Sequence, residues 1–247
     1  MTSSSSPRPS ANTPTAEVDP ALVSSSRARS DKSAQTHRSD KSAQTQERIR
    51  AAAARILTER GIAMARLGDI AAEAGVRAPA IYYYYASREE LIEDVVRLGQ
   101  VGTEQRVTSA IEDLAPETPA LDKICVAVEA HLRALHELSD YTTAAVRNIG
   151  QMPEDMRDRL RVDQRRYGRV WKRLFEQARE NGELRADIDL RAAQLLVIGA
   201  LNWTPEWWTD SSVPLDTLVS AACKLTRQGL AALPARSGSS PAGPARD

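Results

Sequence analysis

The sequence predicts an all-α protein in which a three-helix helix-turn-helix domain is joined by a long helix to a second helical domain. From about Thr45 to about Leu230 the apolar residues recur at helical spacing, and no stretch shows the signals of a strand. Segments rich in Ser, Pro and Gly stand at both ends. The predicted order is a disordered arm (1–44), the helix-turn-helix domain (45–92), the second helical domain (93–232) and a disordered tail (233–247).

The N-terminal arm is rich in Ser, Pro, Thr and Ala without periodicity, so it buries too little apolar surface to repay the entropy of ordering. The first helix is expected from about Thr45 to Arg60. Its apolar stripe includes Ile49 and Ile56, and Gly61 is expected to end it.

Three turn signals follow one another after this helix. Gly75 can adopt the positive φ that ends a helix, Pro79 is tolerated in the first turn of a new one, and Ser87 with Glu90 forms a capping box. Only residues 78–84 are left between these signals. Two short helices joined by a tight turn are a helix-turn-helix, whose second helix enters the DNA major groove.

A set of spaced motifs resembles the DNA-binding domain of the TetR family over roughly residues 45–96. These motifs are Arg48-Ile49, Ala52-Ala53, Glu59-Arg60-Gly61, Asp69-Ile70-Ala71, Ala74-Gly75-Val76, Ile81-Tyr82 and Ser87-Arg88-Glu89-Glu90-Leu91. Three positions depart from the family pattern. Ala65 and Arg66 replace the usual Thr or Ser, Arg77 replaces the Ser or Thr of the turn, and Arg88 replaces a Lys while keeping its charge.

This arrangement predicts which residues contact DNA. Arg77 stands where its guanidinium can bind guanine O6 and N7, Tyr82 and Tyr83 can offer hydroxyls to phosphates, and Arg88 is expected at the DNA backbone. Arg66 either substitutes for the missing Thr or is simply solvated. The predicted contacts are Arg66, Arg77, Ala78, Pro79, Tyr82, Tyr83 and Arg88.

Two neighbouring features leave alternatives open. Tyr85 takes the place of the family's usual Phe and is expected in the core, while Tyr84 is undecided. The arm carries a direct repeat of nine residues, with copies starting at Arg29 and Arg38. Its basic residues suit either a solvated linker or a flexible arm along DNA.

In the second domain, Pro153 is expected to start a helix that Asn181-Gly182 ends. The stretch 190–203 is apolar almost all round, which predicts a helix buried on most sides. A last amphipathic helix is expected from about Pro214 to Leu230.

Tryptophans cluster in the segment from Gly199 to Trp208, which is similar to the penultimate helix of a TetR branch that responds to acyl-CoA thioesters. A cavity lined by indoles and aliphatic groups suits an acyl chain. Packing in the core or at a dimer interface is the other reading. The predicted ligand-binding residues are Trp203, Trp207, Trp208, Tyr167 and Arg147.

An arginine-rich run on one predicted helix also has two readings: its side chains either meet the phosphates of CoA or form a solvated face. The run consists of Arg161, Arg165, Arg166 and Arg169. A charged helical run is usually solvated.

Composition bears on several classes of protein. The 33 basic residues balance 33 acidic ones, so net charge does not point to nucleic acid. No apolar run suggests a signal peptide or a membrane span, and Cys125 and Cys223 suit buried free thiols, so a cytoplasmic protein is expected.

His131 and His136 are five residues apart, a spacing that suits neither a metal pair nor a catalytic pair. No enzyme activity, cofactor or metal is expected.

These patterns predict a ligand-responsive transcriptional regulator, a repressor, that binds a palindromic operator as a homodimer and is released by a small hydrophobic effector. A palindrome is read by two recognition helices about 34 Å apart, so the protein is expected to be a dimer. The last two helices of each copy are expected to form the dimer contact, a four-helix bundle with their symmetry mates. An acyl-CoA thioester is one candidate effector. The alternatives are a regulator of another lipophilic ligand and an all-helical interaction or adaptor protein.

Overall fold

The computed structural model describes residues 20–138, 140–209 and 211–232, with side chains from residue 40 onwards except that of residue 138. The described chain is helical. Its helices are α1 (Pro20–Met64), α2 (Leu67–Ala74), α3 (Ala78–Ile81), α4 (Arg88–Glu112), α5 (Ala120–Arg133), α6 (Asp140–Asn148), α7 (Glu154–Glu180), α8 (Leu190–Trp207) and α9 (Leu215–Leu230). The all-α prediction is confirmed over this part of the chain, and none of its helices is long and apolar enough to cross a bilayer.

The chain divides into two compact units, Met1–Gln46 and Glu47–Asp247. The predicted arm falls in the first unit, and its residues 1–19 lie outside the described residues, as does the predicted tail. The helix begins at Pro20, well before the expected start at Thr45. The segment 21–44 contains no Gly or Pro, and although seven of its 24 residues are Ser, eleven are Ala, Arg, Lys or Gln, which favour helix, so the helical backbone can extend through it.

The predicted turn signals act as expected. Gly61 interrupts α1 with a φ of 72°, and Gly75 follows α2 with a φ of 64°. The N–H of Glu90 donates to Ser87 Oγ at the start of α4 (3.1 Å), while the Glu90 carboxylate accepts from the N–H of Ala86 (2.6 Å). The recognition helix α3 is only four residues long, and residues 82–84 form a turn.

Two hydrophobic cores organise the second unit. The first joins the C-terminal part of α1 to α2, α3 and the start of α4, and it also includes Ala144 and Ala145 of α6 and Met156 of α7. The second contains Trp171 and Phe175 of α7 with residues of α4, α5, α8 and α9. Helix α6 therefore belongs to the core of the helix-turn-helix region.

Helix α8 differs from its prediction. It was expected to be buried on most sides, but Leu195, Leu196 and Trp203 are exposed, while Leu201 is buried. An apolar pattern all round a helix does not distinguish burial within one chain from burial against another copy. Within a single chain the prediction is wrong, and α8 presents an apolar face.

Candidate nucleic-acid interface and ligand cavity

The segment around α3 presents the side chains that the sequence predicts for DNA. Arg77 is exposed at the N-cap of α3, and Pro79 is exposed in its first turn. Tyr82 and Tyr83 are 59% and 80% exposed, whereas Tyr85 is buried and its hydroxyl donates to Asp94 (2.9 Å). The core position of Tyr85 is confirmed. The surface beside α3 is therefore basic and aromatic, with groups able to bond phosphates and base edges.

Two further residues predicted to contact DNA, Ala78 and Arg66, differ in how far they are exposed. Ala78 is half-buried and packs on the first core, so only part of it faces outwards. Arg66 is exposed at the N-cap of α2, but its side chain makes no capping bond. Arg66 is therefore free to contact a phosphate, which it must be if it substitutes for the missing Thr.

Arg88 has a different role from the one predicted. Its Nε donates to the carbonyl of Ala65 (2.5 Å), its Nη2 donates to the carbonyl of Ile62, and its Nη1 pairs with Glu89 (3.2 Å). These carbonyls lie at and just beyond the C-terminal end of α1, where few helical partners are left. In this structure Arg88 ties α4 to the end of α1 instead of projecting towards a DNA backbone.

Sequence reasoning missed a second arginine of this kind, Arg48. Its Nη2 donates to the carbonyls of Ala74 and Gly75, the latter at 3.2 Å, at the end of α2. The added Cβ of any other residue at position 75 would lie 2.9 Å from this Nη2. Arg48 therefore fixes the turn that precedes α3.

A cavity of about 440 Å³ lies in the second domain between α4, α5, α6, α7 and α8. Its wall is mainly apolar, with Leu135, Val146, Ile149, Ile198 and Trp203 among its members. Such a cavity suits a largely apolar small molecule.

Polar groups lie at defined points of the cavity wall. His131 is buried, with its Nδ1 2.6 Å from the Tyr167 hydroxyl and its Nε2 3.0 Å from Asn202 Oδ1. Burial lowers the pKa of His131 to about 4, so the ring is neutral near pH 7. The neutral ring then donates from Nε2 to Asn202 and accepts at Nδ1 from Tyr167. Gln100 Oε1 is buried without a hydrogen-bond partner and is the one unsatisfied acceptor in this wall among the described residues.

The structure separates the predicted ligand-binding residues. Tyr167 and Trp203 line the cavity. Trp207 is exposed outside it, and the indole of Trp208 packs on His136 (4.3 Å between centroids) and donates to the carbonyl of Val213 (2.8 Å). The reading of Trp208 as a packing residue fits these contacts. Sequence reasoning missed His131, Asn202 and Gln100, because isolated polar residues on apolar helices give no distinguishing signal.

Arg147 lies on α6 but does not line the cavity. Its Nη1 donates to the carbonyl of Thr58 on α1 (2.9 Å), its Nη2 donates to the carbonyl of Pro205, and its Nε pairs with Glu206 on α8 (3.2 Å). The neighbouring Asn148 donates to the carbonyl of Leu57 on α1 (3.0 Å). Arg147 thus joins the end of α1 to the end of α8.

Comparisons with known proteins agree with both halves of the chain. Residues 49–95 match the family model of bacterial regulatory proteins of the tetR family, and residues 117–228 match that of the tetracyclin repressor-like C-terminal domain. The fatty acid metabolism regulator protein of Bacillus subtilis (strain 168) is 22% identical over 184 residues, covering 72% of this chain and 92% of that protein.

Two further proteins extend the comparison. The HTH-type transcriptional repressor KstR2 of Rhodococcus jostii (strain RHA1) is 23% identical over 189 residues, covering 72% of this chain and 87% of that protein. The crystal structure of AibR in complex with isovaleryl coenzyme A and operator DNA has the same fold, with a TM-score of 0.67 and 16% identity over 73% of this chain and 97% of that one. Taken with the exposed recognition helix and the two matching family models, these likenesses establish that the chain belongs to the TetR family of bacterial regulatory proteins.

Proposed function

We propose that this regulator is a homodimeric repressor that binds a palindromic operator through α3 and is released when a small hydrophobic effector enters the cavity. The observation that carries this proposal is the course of α4. The helix begins at the Ser87 cap, directly after the turn that follows α3, and its residues Gly99, Gln100 and Thr103 line the cavity. A ligand in the cavity therefore contacts the same helix that supports the recognition segment.

The operator surface in this proposal consists of Arg77, Pro79, Tyr82 and Tyr83, with Arg66 at the adjoining N-cap. All five side chains are exposed. Arg77 is placed for base edges, and the tyrosine hydroxyls for phosphates. Arg88 is left out of this surface because its guanidinium is engaged by α1 carbonyls.

The proposed effector is an acyl-CoA thioester, with another lipophilic compound as the alternative. The mainly apolar cavity wall suits an acyl chain, and Trp203 and Tyr167 face it from two helices. The chain is similar in sequence to a fatty acid metabolism regulator and in fold to a protein solved with isovaleryl coenzyme A and operator DNA. Release requires the effector to bind the DNA-free conformation more tightly than the DNA-bound one.

The operator surface can be tested with two substitutions, Arg77→Ala and Tyr82→Phe. Each removes a group that contacts DNA without touching the core, so each is expected to weaken operator binding about tenfold, the effect of one lost charged or phosphate hydrogen bond. Fluorescence anisotropy on a DNA fragment selected from a random pool measures the affinity, and circular dichroism checks the fold.

The control for this test is Arg173→Ala, which removes an exposed arginine from α7, away from α3. It is expected to bind the operator like the wild type. Unchanged affinity in both Arg77→Ala and Tyr82→Phe would remove α3 from the DNA interface. In parallel, acyl-CoA thioesters are expected to raise the melting temperature of the wild type and to lower its operator affinity.

A further inference from the structure

A second, open groove runs beside the cavity, between α7 and α8, with a volume of about 750 Å³. Its wall contains more basic side chains than acidic ones. The basic members are Arg165, Arg169, Lys172, Arg179 and Arg191, and the acidic members are Glu176 and Asp189. We call the part formed by Arg165, Arg169, Lys172 and Arg191 the basic groove. Its excess positive charge favours an anionic ligand.

Ion pairing distinguishes the arginines of the basic groove from three other arginines of α7. Elsewhere on α7, Arg159 pairs with Glu93 (2.7 Å), Arg161 pairs with Asp158 (2.9 Å), and Arg166 pairs with Glu104 and Asp163 (2.7 and 2.9 Å). Those arginines are occupied by carboxylates.

The groove arginines have no such partners. Within residues 40–137, 140–209 and 211–232, neither Arg165 nor Arg169 nor Arg191 forms an ion pair or a side-chain hydrogen bond. Lys172 pairs with Glu176 at 3.3 Å, and the Asp189 carboxylate accepts from the N–H of Ala192 (2.7 Å). Three guanidinium groups on two facing helices are therefore free to bind an anion, and guanidinium groups suit the oxygens of phosphate.

The basic groove and the apolar cavity meet at Gly168, which belongs to the wall of both. Gln194 Nε2 donates to the carbonyl of Gly168 (3.1 Å) and so holds α8 against α7 at this point. No atom lies within 4 Å of the place that a Cβ at position 168 would take. The missing side chain therefore leaves open space beside α7 at the residue that borders both compartments.

We propose that the basic groove binds the phosphate-bearing head of the effector, while its apolar chain passes Gly168 into the cavity. The inference rests on the proposed function, because it concerns the same effector. It assigns Arg165, Arg169 and Arg191 to phosphate recognition and leaves Arg161 and Arg166 in their ion pairs. A CoA thioester and an acylated glycerol phosphate share the chemistry in question, a phosphate head joined to an acyl chain.

The first test compares the double variant Arg165→Gln/Arg169→Gln with Arg173→Gln, an exposed arginine of the same helix that lines neither compartment. Isothermal titration uses isovaleryl-CoA, dodecanoyl-CoA, dodecanoyl lysophosphatidate and the free dodecanoate. The double variant is expected to bind the phosphate-bearing compounds at least about tenfold more weakly, because charged hydrogen bonds are lost. Binding of dodecanoate is expected to stay within about twofold, and Arg173→Gln is expected to match the wild type.

Salt dependence gives a second readout. Binding of the phosphate-bearing compounds to the wild type is expected to weaken as salt is raised, because exposed charges are screened, and the double variant is expected to lose much of this dependence. Dodecanoyl lysophosphatidate distinguishes the two candidate ligands, a CoA thioester and an acylated glycerol phosphate. If it binds in the same arginine-dependent way and the CoA thioesters do not, the phosphate site is upheld with an acyl phospholipid as its ligand.

Gly168→Leu tests the junction without removing charge. The Cβ of the new side chain meets no atom within 4 Å, and replacing a helical glycine favours the helix, so the melting temperature is expected to stay level or rise. Binding of the phosphate-bearing compounds is expected to fall at least about tenfold, because the passage is narrowed. Equal affinity in wild type and Gly168→Leu would overturn the two-compartment arrangement.

The outcomes separate this inference from the proposed function. If dodecanoyl-CoA releases the wild type from its operator and the double variant binds it with unchanged affinity, the basic groove is overturned and the repressor proposal stands. If none of the acyl compounds binds the wild type or alters operator affinity, the basic groove and the acyl-CoA effector are both overturned, and operator binding is decided separately by Arg77→Ala and Tyr82→Phe. An equal loss in Arg173→Gln would also overturn the groove, since the effect would then come from overall charge.

Discussion

His131 shows how burial sets the chemistry of one side chain. The ring is 2% exposed, and its two nitrogens are used by Tyr167 and Asn202. Loss of hydration disfavours the imidazolium, which is why the pKa falls to about 4. The neutral ring ties α5 to α7 and α8 at the cavity wall. A charged ring would have to be buried with the same neutral partners.

The depressed pKa predicts a defined dependence of stability on pH. Unfolded His131 binds a proton below about pH 6.5, whereas the folded protein takes it up only near pH 4, so acid favours unfolding between these values. The full loss over this window is about 3 kcal/mol. Between about pH 7 and about pH 5, the free energy of unfolding measured in urea is expected to fall by about 2 kcal/mol more in the wild type than in His131→Gln.

His131→Gln is the control for this pH dependence, because it retains the carboxylates that also titrate in acid. His131→Gln is expected to be less stable than the wild type at neutral pH, since it disturbs two buried hydrogen bonds. If the free energy of unfolding falls equally in the wild type and in His131→Gln between about pH 7 and pH 5, His131 does not contribute to the pH dependence of stability.

Arg147 is a single side chain that bonds three segments. Removing it leaves the carbonyls of Thr58 and Pro205 without this donor and separates the end of α1 from the end of α8. Arg147→Met is expected to retain effector binding but to reduce the effector-induced drop in operator affinity about tenfold, a common size for coupling between sites. The measurement is the ratio of operator dissociation constants with and without dodecanoyl-CoA.

Arg133 supplies a matched control for Arg147. Its guanidinium also makes three contacts, here ion pairs with Glu129, Glu137 and Asp216, but none of them reaches α1. Arg133→Met is expected to keep the wild-type ratio. Similar losses of coupling in both variants would mean that Arg147 acts through general stability and not through its link between α1 and α8.

Helices α4 and α6 approach each other closely where α4 carries Gly99. A Cβ at this position would overlap the carbonyl oxygen of Tyr141 and lie 2.9 Å from the Cβ of Ala145. The same glycine lines the cavity, and its carbonyl accepts from the Thr103 hydroxyl (2.9 Å). The absence of a side chain therefore allows the backbone contact between the two helices that the proposed signal uses.

Gly99→Ala is expected to force α4 and α6 apart. Overpacking of this kind costs about 1–3 kcal/mol, and it outweighs the helix propensity gained by replacing glycine, about 1 kcal/mol. Denaturant unfolding measures the loss. Gly102→Ala, one turn further along α4, meets no atom within 4 Å and is expected to stabilise the protein by up to about 1 kcal/mol. Equal effects of the two substitutions would contradict the close approach at Gly99.

Assembly of the protein depends on the apolar faces that the chain leaves uncovered. Leu196 of α8 and Leu225 of α9 are each 73% exposed, and Trp203 of α8 is 64% exposed. Large apolar side chains exposed on two consecutive helices indicate a surface for association. A two-fold axis beside α8 and α9 would bury the same faces of both copies in a four-helix bundle.

The proposed dimer predicts that Leu196→Glu/Leu225→Glu behaves as a monomer in analytical ultracentrifugation. Burying two charges per copy without partners costs several kcal/mol, which is enough to dissociate an interface of ordinary size. Operator affinity is expected to fall at least about a hundredfold, because one short recognition helix binds weakly alone. Val162→Glu on α7, where the native side chain is 66% exposed, is the control and is expected to stay dimeric.

The resemblance to the TetR family implied the burial of Tyr85, whereas the sequence by itself determined the helical class, the turn at Gly75 and the capped start of α4 at Ser87. These features depend on local chemistry: a glycine with positive φ, a side-chain cap, and apolar spacing within one helix. The same local logic identified Arg77, Tyr82 and Tyr83 as a surface, since they lie in a short segment whose neighbours are known from the motif.

Only the tertiary structure decided what the other polar residues do. Arg88 was predicted to contact DNA and Arg147 to contact the ligand, yet each donates to a carbonyl of α1 that lies far away in sequence. His131 meets Asn202 across 71 positions, and Gly168 stands between two compartments. Long-range partners are set by how helices cross, which depends on the packing of whole faces and not on the pattern within one helix. For this reason the free arginines of the basic groove became distinguishable from their paired neighbours only once α4, α7 and α8 were in place.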